Sequence, residues 1–148
     1  MEAPMHNFTE HFEIREVGAP IAAGATIDDN SDRIDMADYD SVTFLVPITG
    51  SVATGVATAT VENNDTDSDA GMAPVSGAVA TVTSAANNDV QGQLLVVEVA
   101  RPARRFVQLV RTSAAANITY GTVTAILKPR RRPVARHATV SALTRISD

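Results

Sequence analysis

Short runs of valine, threonine and alanine, each closed by turn residues, confine this chain to β structure. Valine and threonine are stiff at χ1 and fit a pleated surface better than a helix. Ser41 to Ile48 alternates, so that Val42, Phe44, Val46 and Ile48 share one face of a half-buried strand. Pro47 has no N–H for a ladder, which predicts an edge position or a strand end, and Gly50 marks the turn. Val56–Val61 reads as a second strand, with Ala57, Ala59 and Val61 inward. Ala78–Thr83 is a third. Leu94–Val99 is almost continuously apolar, which predicts a central strand covered on both faces. It stops at Arg101-Pro102.

Arg105–Arg111 forms a fifth strand. Ile118–Leu127 forms a sixth, with Val123, Ala125 and Leu127 on one face and a bulge or close backbone approach at Gly121. Phe12–Val17 and Ile21–Ile27 add one or two more. Helical spacing surfaces only in Arg136–Ile146, which is short and rich in Ser and Thr. The expected fold is all-β, an antiparallel sandwich of jelly-roll type with extended terminal arms. Residues 1–12 form an N-terminal arm, 13–128 the sandwich and 129–148 a basic C-terminal arm.

Charge is divided along the chain. Residues 1–100 hold sixteen acids and two arginines, Arg15 and Arg33. Residues 101–148 hold ten bases and one acid, so the parts carry −14 and +9 within a net −5. A 48-residue segment is too short for a core of its own, so the division belongs to one domain. With no cysteine, disulfide scaffolds, thiolate metal sites and cysteine nucleophiles drop out. No apolar run reaches the roughly 18 residues of a membrane helix. Met1-Glu2-Ala3-Pro4 lacks the basic and apolar regions of a signal peptide.

Motifs for chemistry are sparse. Asp65, Asp67 and Asp69 have the 1-3-5 spacing of an EF-hand loop. Gly71 falls one place late, however, Ser76 stands where a glutamate belongs, and the flanks are strands. A solvated loop tip accounts for the segment, with a cation site as the alternative. His6, His11 and His137 show no zinc spacing. Nucleophile-elbow, Walker and dinucleotide motifs are absent. The expectation is no enzyme, no cofactor and no metal.

The basic residues carry the binding signal. Lys128, Arg130, Arg131, Arg132 and Arg136 surround Pro129 and Pro133, which keep the stretch extended. Extended arginines clamp phosphates or carboxylates. Nucleic acid, an acidic protein surface (a second copy included) and a solvated tail all remain open. Nucleic acid is the poorer fit, because neither stacking aromatics nor a groove-reading helix stands nearby. Arg101, Arg104, Arg105 and Arg111 bracket the fifth strand. They are either outward charges protecting it or an intersubunit salt-bridge surface. The candidate protein-contact residues are therefore Arg130, Arg131, Arg132, Arg136, Arg101, Arg104 and Arg105.

Val42-Thr43-Phe44, the Thr/Ala/Val strand, the acidic loop and Val97-Glu98-Val99-Ala100-Arg101-Pro102-Ala103-Arg104-Arg105-Phe106-Val107-Gln108 resemble small tailed-phage virion proteins. The shared pattern covers roughly residues 38–134: a strand, Arg-Pro, Arg-aromatic-Val, a Thr/Ala/Asn loop, another strand and a Pro/Arg tail. The resemblance implies a head decoration, or cement, protein. Such proteins are β-sandwiches that bind the capsid exterior and staple neighbouring capsomers. It implies the major capsid protein as partner, self-association, a place on the virion exterior and no membrane. A head–tail connector or tail component is the nearest alternative. A nucleic-acid or host-surface binding module is the alternative of a different class.

Overall fold

The computed structural model describes residues 7–131 and 134–146. After a single helical turn, α1 (Phe8–His11), come β1 (Glu13–Gly18), β2 (Ile21–Gly24), β3 (Asp28–Asn30), β4 (Ile34–Asp35) and β5 (Tyr39–Ser51). Then follow β6 (Val56–Asn64), β7 (Ala73–Thr83), β8 (Leu94–Ala100), β9 (Phe106–Ala114), β10 (Ile118–Tyr120) and β11 (Val123–Pro129). All pairings between these strands are antiparallel.

One sheet runs β1–β11–β5–β10–β2 with β8 on the far side of β5, and the other runs β3–β9–β6–β7 with β4 also on β9. The pairs β1/β2, β3/β4 and β10/β11 are each one broken strand. Among the described residues this leaves eight strand positions, ordered 1-8-3-6 in one sheet and 2-7-4-5 in the other. That is the order of a jelly roll, two interlocked Greek keys.

Alternation sets the core as the sequence predicts. Val42, Phe44, Val46 and Ile48 are fully buried, as are Ala57, Ala59 and Val61 from β6 and Val123, Ala125 and Leu127 from β11. Two expectations fail for the same reason, that strand position depends on non-local pairing. Leu94–Val99 is not central. β8 pairs with β5 alone, and its residues alternate exposed and buried. Pro47 lies on an interior strand rather than at an edge. Ile48 exchanges hydrogen bonds with the β8 side, so the position where Pro47 lacks a donor turns toward the break between β10 and β11. Gly121 fills that break and donates to the Pro47 carbonyl at 2.9 Å. A Cβ on Gly121 would meet the Pro47 ring at 3.0 Å, which is the close approach predicted there.

The chain past β11 is irregular, with a turn at 138–139 and no helix in 134–146. It lies back against β1. Val134 is buried, Thr139 Oγ1 accepts the Glu16 N–H at 3.1 Å, and Arg145 donates to Thr9 and to the Val134 carbonyl.

Candidate interface at the charged end

The jelly-roll order decides where the charges go. Strands from the first half of the chain alternate with strands from the second, so late bases lie beside early acids. Arg105 grips Asp35 with two bonds of 2.8 and 2.7 Å, Arg130 bonds Asp40 at 3.2 Å, and Arg104 stands 4.0 Å from Asp65. Arg33 pairs with Asp67 at 2.6 Å. These groups gather at one end of the sandwich. The turns at the opposite end, 24–27, 51–56, 84–93 and 114–118, carry a single charged residue, Asp89.

Main-chain bonds hold the charged end in shape. The Arg101 N–H donates to the Asp40 carbonyl at 2.7 Å, Met36 N–H to Arg105 at 2.8 Å, and Arg130 N–H to Asp38 at 3.0 Å. Three segments distant in sequence, 36–40, 101–105 and 130, thus form one frame. Arg101 takes φ of 51°, in the left-handed region. Side chains other than glycine occupy that region at a cost of roughly 1–2 kcal/mol. A cleft of about 500 Å³ opens over the frame, lined by Tyr39, Asp40, Arg101, Arg104, Arg105 and Arg130. A second of about 500 Å³ adjoins it along Asp38, Arg130 and Arg131.

Bonding to Asp35 raises the Arg105 pKa, and the same bond holds the Asp35 carboxyl below its ordinary value. These rim pairs are solvent-washed and add little to stability. Their larger effect is to fix direction. Arg105 lies over the Phe106 ring at 5.2 Å. Lys128, Arg101 and Arg131 make no ion pair among the described residues and leave cationic groups facing outward.

Five of the seven candidate contact residues, Arg101, Arg104, Arg105, Arg130 and Arg131, therefore meet here, although they come from two stretches of sequence. Arg136 is elsewhere. Its Nη1 donates to the carbonyls of Val140 and Ser141, folding the tail onto itself. Arg132 lies outside the described residues, as does His6. The Asp65–Asp69 loop also sits at this end. Asn64 braces it by donating to the Ser68 and Ala70 carbonyls at 3.0 Å, and Asp69 accepts from Asn30 and Gln108. Its acids face protein donors rather than a common centre. Among the described residues no cluster of three or more ligands is placed to hold a metal ion.

One reading is corrected. Arg111 is neither an outward charge nor at a subunit surface, because its side chain is 1% exposed. It crosses the interior to the Gly121 and Ala19 carbonyls and to Asp29, at 2.9, 2.8 and 2.7 Å. Tyr120 reaches the other way, donating to the Thr112 carbonyl at 2.7 Å and accepting the Thr58 N–H at 3.0 Å. The guanidinium lies 5.7 Å from the tyrosine ring. Sequence reasoning missed this bridge. The available signal was that Arg111 shares its face with Val107 and Leu109.

No family model matches the sequence, and no curated protein matches it. The fold is that of another solved protein. PBSX exported protein XepA aligns over 99% of this chain with a TM-score of 0.55 and 15% identity. The chain spans 47% of the length of XepA, about half. A structure of infectious bursal disease virus, Gt strain, aligns over 84% of this chain and 34% of its own, with 14% identity and a TM-score of 0.43.

Proposed function

We propose that this chain is a virion structural protein that binds the outer capsid surface of a phage head and stabilises it by bridging neighbouring capsomers. It acts by binding, without catalysis or cofactor, and the major capsid protein is its partner. The observation that carries this reading is the gathering of Arg101, Arg104, Arg105, Arg130 and Arg131 at one end of a rigid jelly roll. A braced frame with outward guanidinium groups suits carboxylates on a protein surface, which it can grip in pairs. Aspartates interleaved with the arginines weaken it as a polyanion site and favour a mixed-charge protein surface. The likeness to a phage-derived protein accords with a virion role. Many copies on a shell add avidity, so each contact can be modest.

The test is binding to purified undecorated heads. Arg104→Glu combined with Arg131→Glu changes two exposed side chains without touching the core. It should lower affinity at least tenfold, and rising salt should weaken the native contact. Unchanged binding by the double variant would refute the docking face. Electron microscopy of the particle gives copy number and place. Density at a single vertex would assign the chain to the head–tail connector instead. Removing everything after Lys128 is a blunter test, because it also strips the cover from β1.

A further inference from the structure

A sheet edge offers unpaired N–H and C=O groups to any passing strand, and native proteins blunt their edges for that reason. Most edges of this sandwich are blunted. On β1, the Glu16 N–H is capped by Thr139. The β3/β4 edge is broken into pieces of three and two residues and carries Asp28 and Asp35. β7 contains Pro74, slips register against β6, and passes through Gly77 at φ of +78°.

β8 has no break, bulge or proline, and its one charged residue is Glu98. Its seven residues run in unbroken register along β5. The Gln93 carbonyl accepts the Ile48 N–H, and the Arg101 N–H donates to the Asp40 carbonyl, both on β5. By alternation Leu95, Val97 and Val99 also bond to β5, and the N–H and C=O groups of Leu94, Val96, Glu98 and Ala100 point away. Among the described residues those groups have no main-chain partner. The outward face is apolar over its first half, ahead of Glu98. Leu94 is 53% and Val96 49% exposed, beside Pro47 and Leu45 directly across the ladder.

We infer that the free edge of β8 pairs antiparallel with β8 of a second copy, joining two jelly rolls through one continuous sheet. This edge meets the capsid-docking end only at Arg101, which closes β8. The occupant follows from symmetry and charge. A two-fold axis near Val97 sets Leu94 opposite Ala100 and Val96 opposite Glu98, so each free donor meets a free acceptor. The same axis brings Arg101 of each copy beside the 88–93 turn of the other. That turn carries Asp89, whose carboxylate is fixed by Ser84 and by the Ala85 and Ala86 N–H groups and keeps its negative charge at the surface. A parallel arrangement would set Arg101 against Arg101. One strand pair falls short of the roughly 1,600 Å² of a standard interface, so association in solution is weak and is read at high concentration.

The test uses the full chain, in sedimentation and amide exchange across a concentration series reaching the millimolar range. The expected result is a monomer–dimer equilibrium, with the Val96 and Glu98 amides slowing as dimer forms. Val96→Glu, an outward change that sets a second carboxylate against Glu98 of the other copy, should weaken the dimer at least tenfold. Val79→Glu, on β7 at 53% exposure, should leave it intact. A chain that stays monomeric with those amides unprotected throughout overturns the inference. So does a dimer that Val96→Glu leaves unchanged. Neither result bears on binding to heads by the charged end, which is measured separately.

Discussion

Arg105 and Arg111 stand on the same face of one stretch of chain, and each holds an aspartate at 2.7 Å. Their surroundings set them apart. Arg105 is 57% exposed and sits where the two sheets end, whereas Arg111 is 1% exposed and sits between them. At the rim, water competes for every bond, so the pair orients groups without adding much stability. In the interior, Arg111 supplies donors to two carbonyls and a carboxylate that would otherwise lose their partners, and its own charge depends on them in turn. Removing one such partner is costly even where the intact arrangement contributes little. Residue type and partner are the same; depth separates a recognition element from a structural one.

The sharpest way to break this comparison is Arg111→Met. It should cost about 1–3 kcal/mol in chemical denaturation, because the buried Gly121 carbonyl loses its donor. A loss below about 1 kcal/mol would show that water reaches the interior after all. Gly121→Ala forces a methyl group against the Pro47 ring at the neighbouring joint and should cost about 1–3 kcal/mol by the same measurement. Tyr120→Phe removes the phenol's two main-chain bonds and should cost roughly 1–2 kcal/mol.

That phenol also gives a pH signature. Burial pushes Tyr120 up to about 12 from 10.0. Between those values the unfolded chain releases the proton and the folded chain keeps it, so stability should fall as pH rises through about 10 to 12. Tyr39 is raised too, by burial and then by Glu13, and adds in the same direction. Tyr120→Phe should flatten the alkaline decline in thermal melts. An unchanged slope would mean that another group governs it. The smallest effect belongs to the rim, where Arg105→Ala should leave the melting temperature almost unchanged. A large drop would erase the distinction between the two arginines.

Which residues form strands was readable because alternation is local. Val42, Phe44, Val46 and Ile48 announce their face without help from the rest of the chain. Strand neighbours were less readable. Leu94-Leu95-Val96-Val97 looks two-sided because an apolar outward face has the same pattern as a second buried one. Pro47 looks like an edge until the split between β10 and β11 supplies a gap for its missing donor. Arg111 was misplaced by the general rule that arginine faces water, which fails where carbonyls and a carboxylate converge. The meeting of Arg101–Arg105 with Arg130 and Arg131 depends on strands 7 and 8 being inserted among strands 1 to 4. No feature of either segment alone announces that.

The pairing of Glu13 with Leu127 joins the first strand to the last. β1 has no ladder to join until β11 exists, and β5, placed early, waits for partners on both flanks. Closure over such long stretches is entropically slow, and sheets dominated by distant pairings fold in milliseconds to seconds. For a nascent chain, the early strands and their apolar faces therefore stand open until β11 has left the ribosome. Assembly of this sandwich is governed by when β11 arrives.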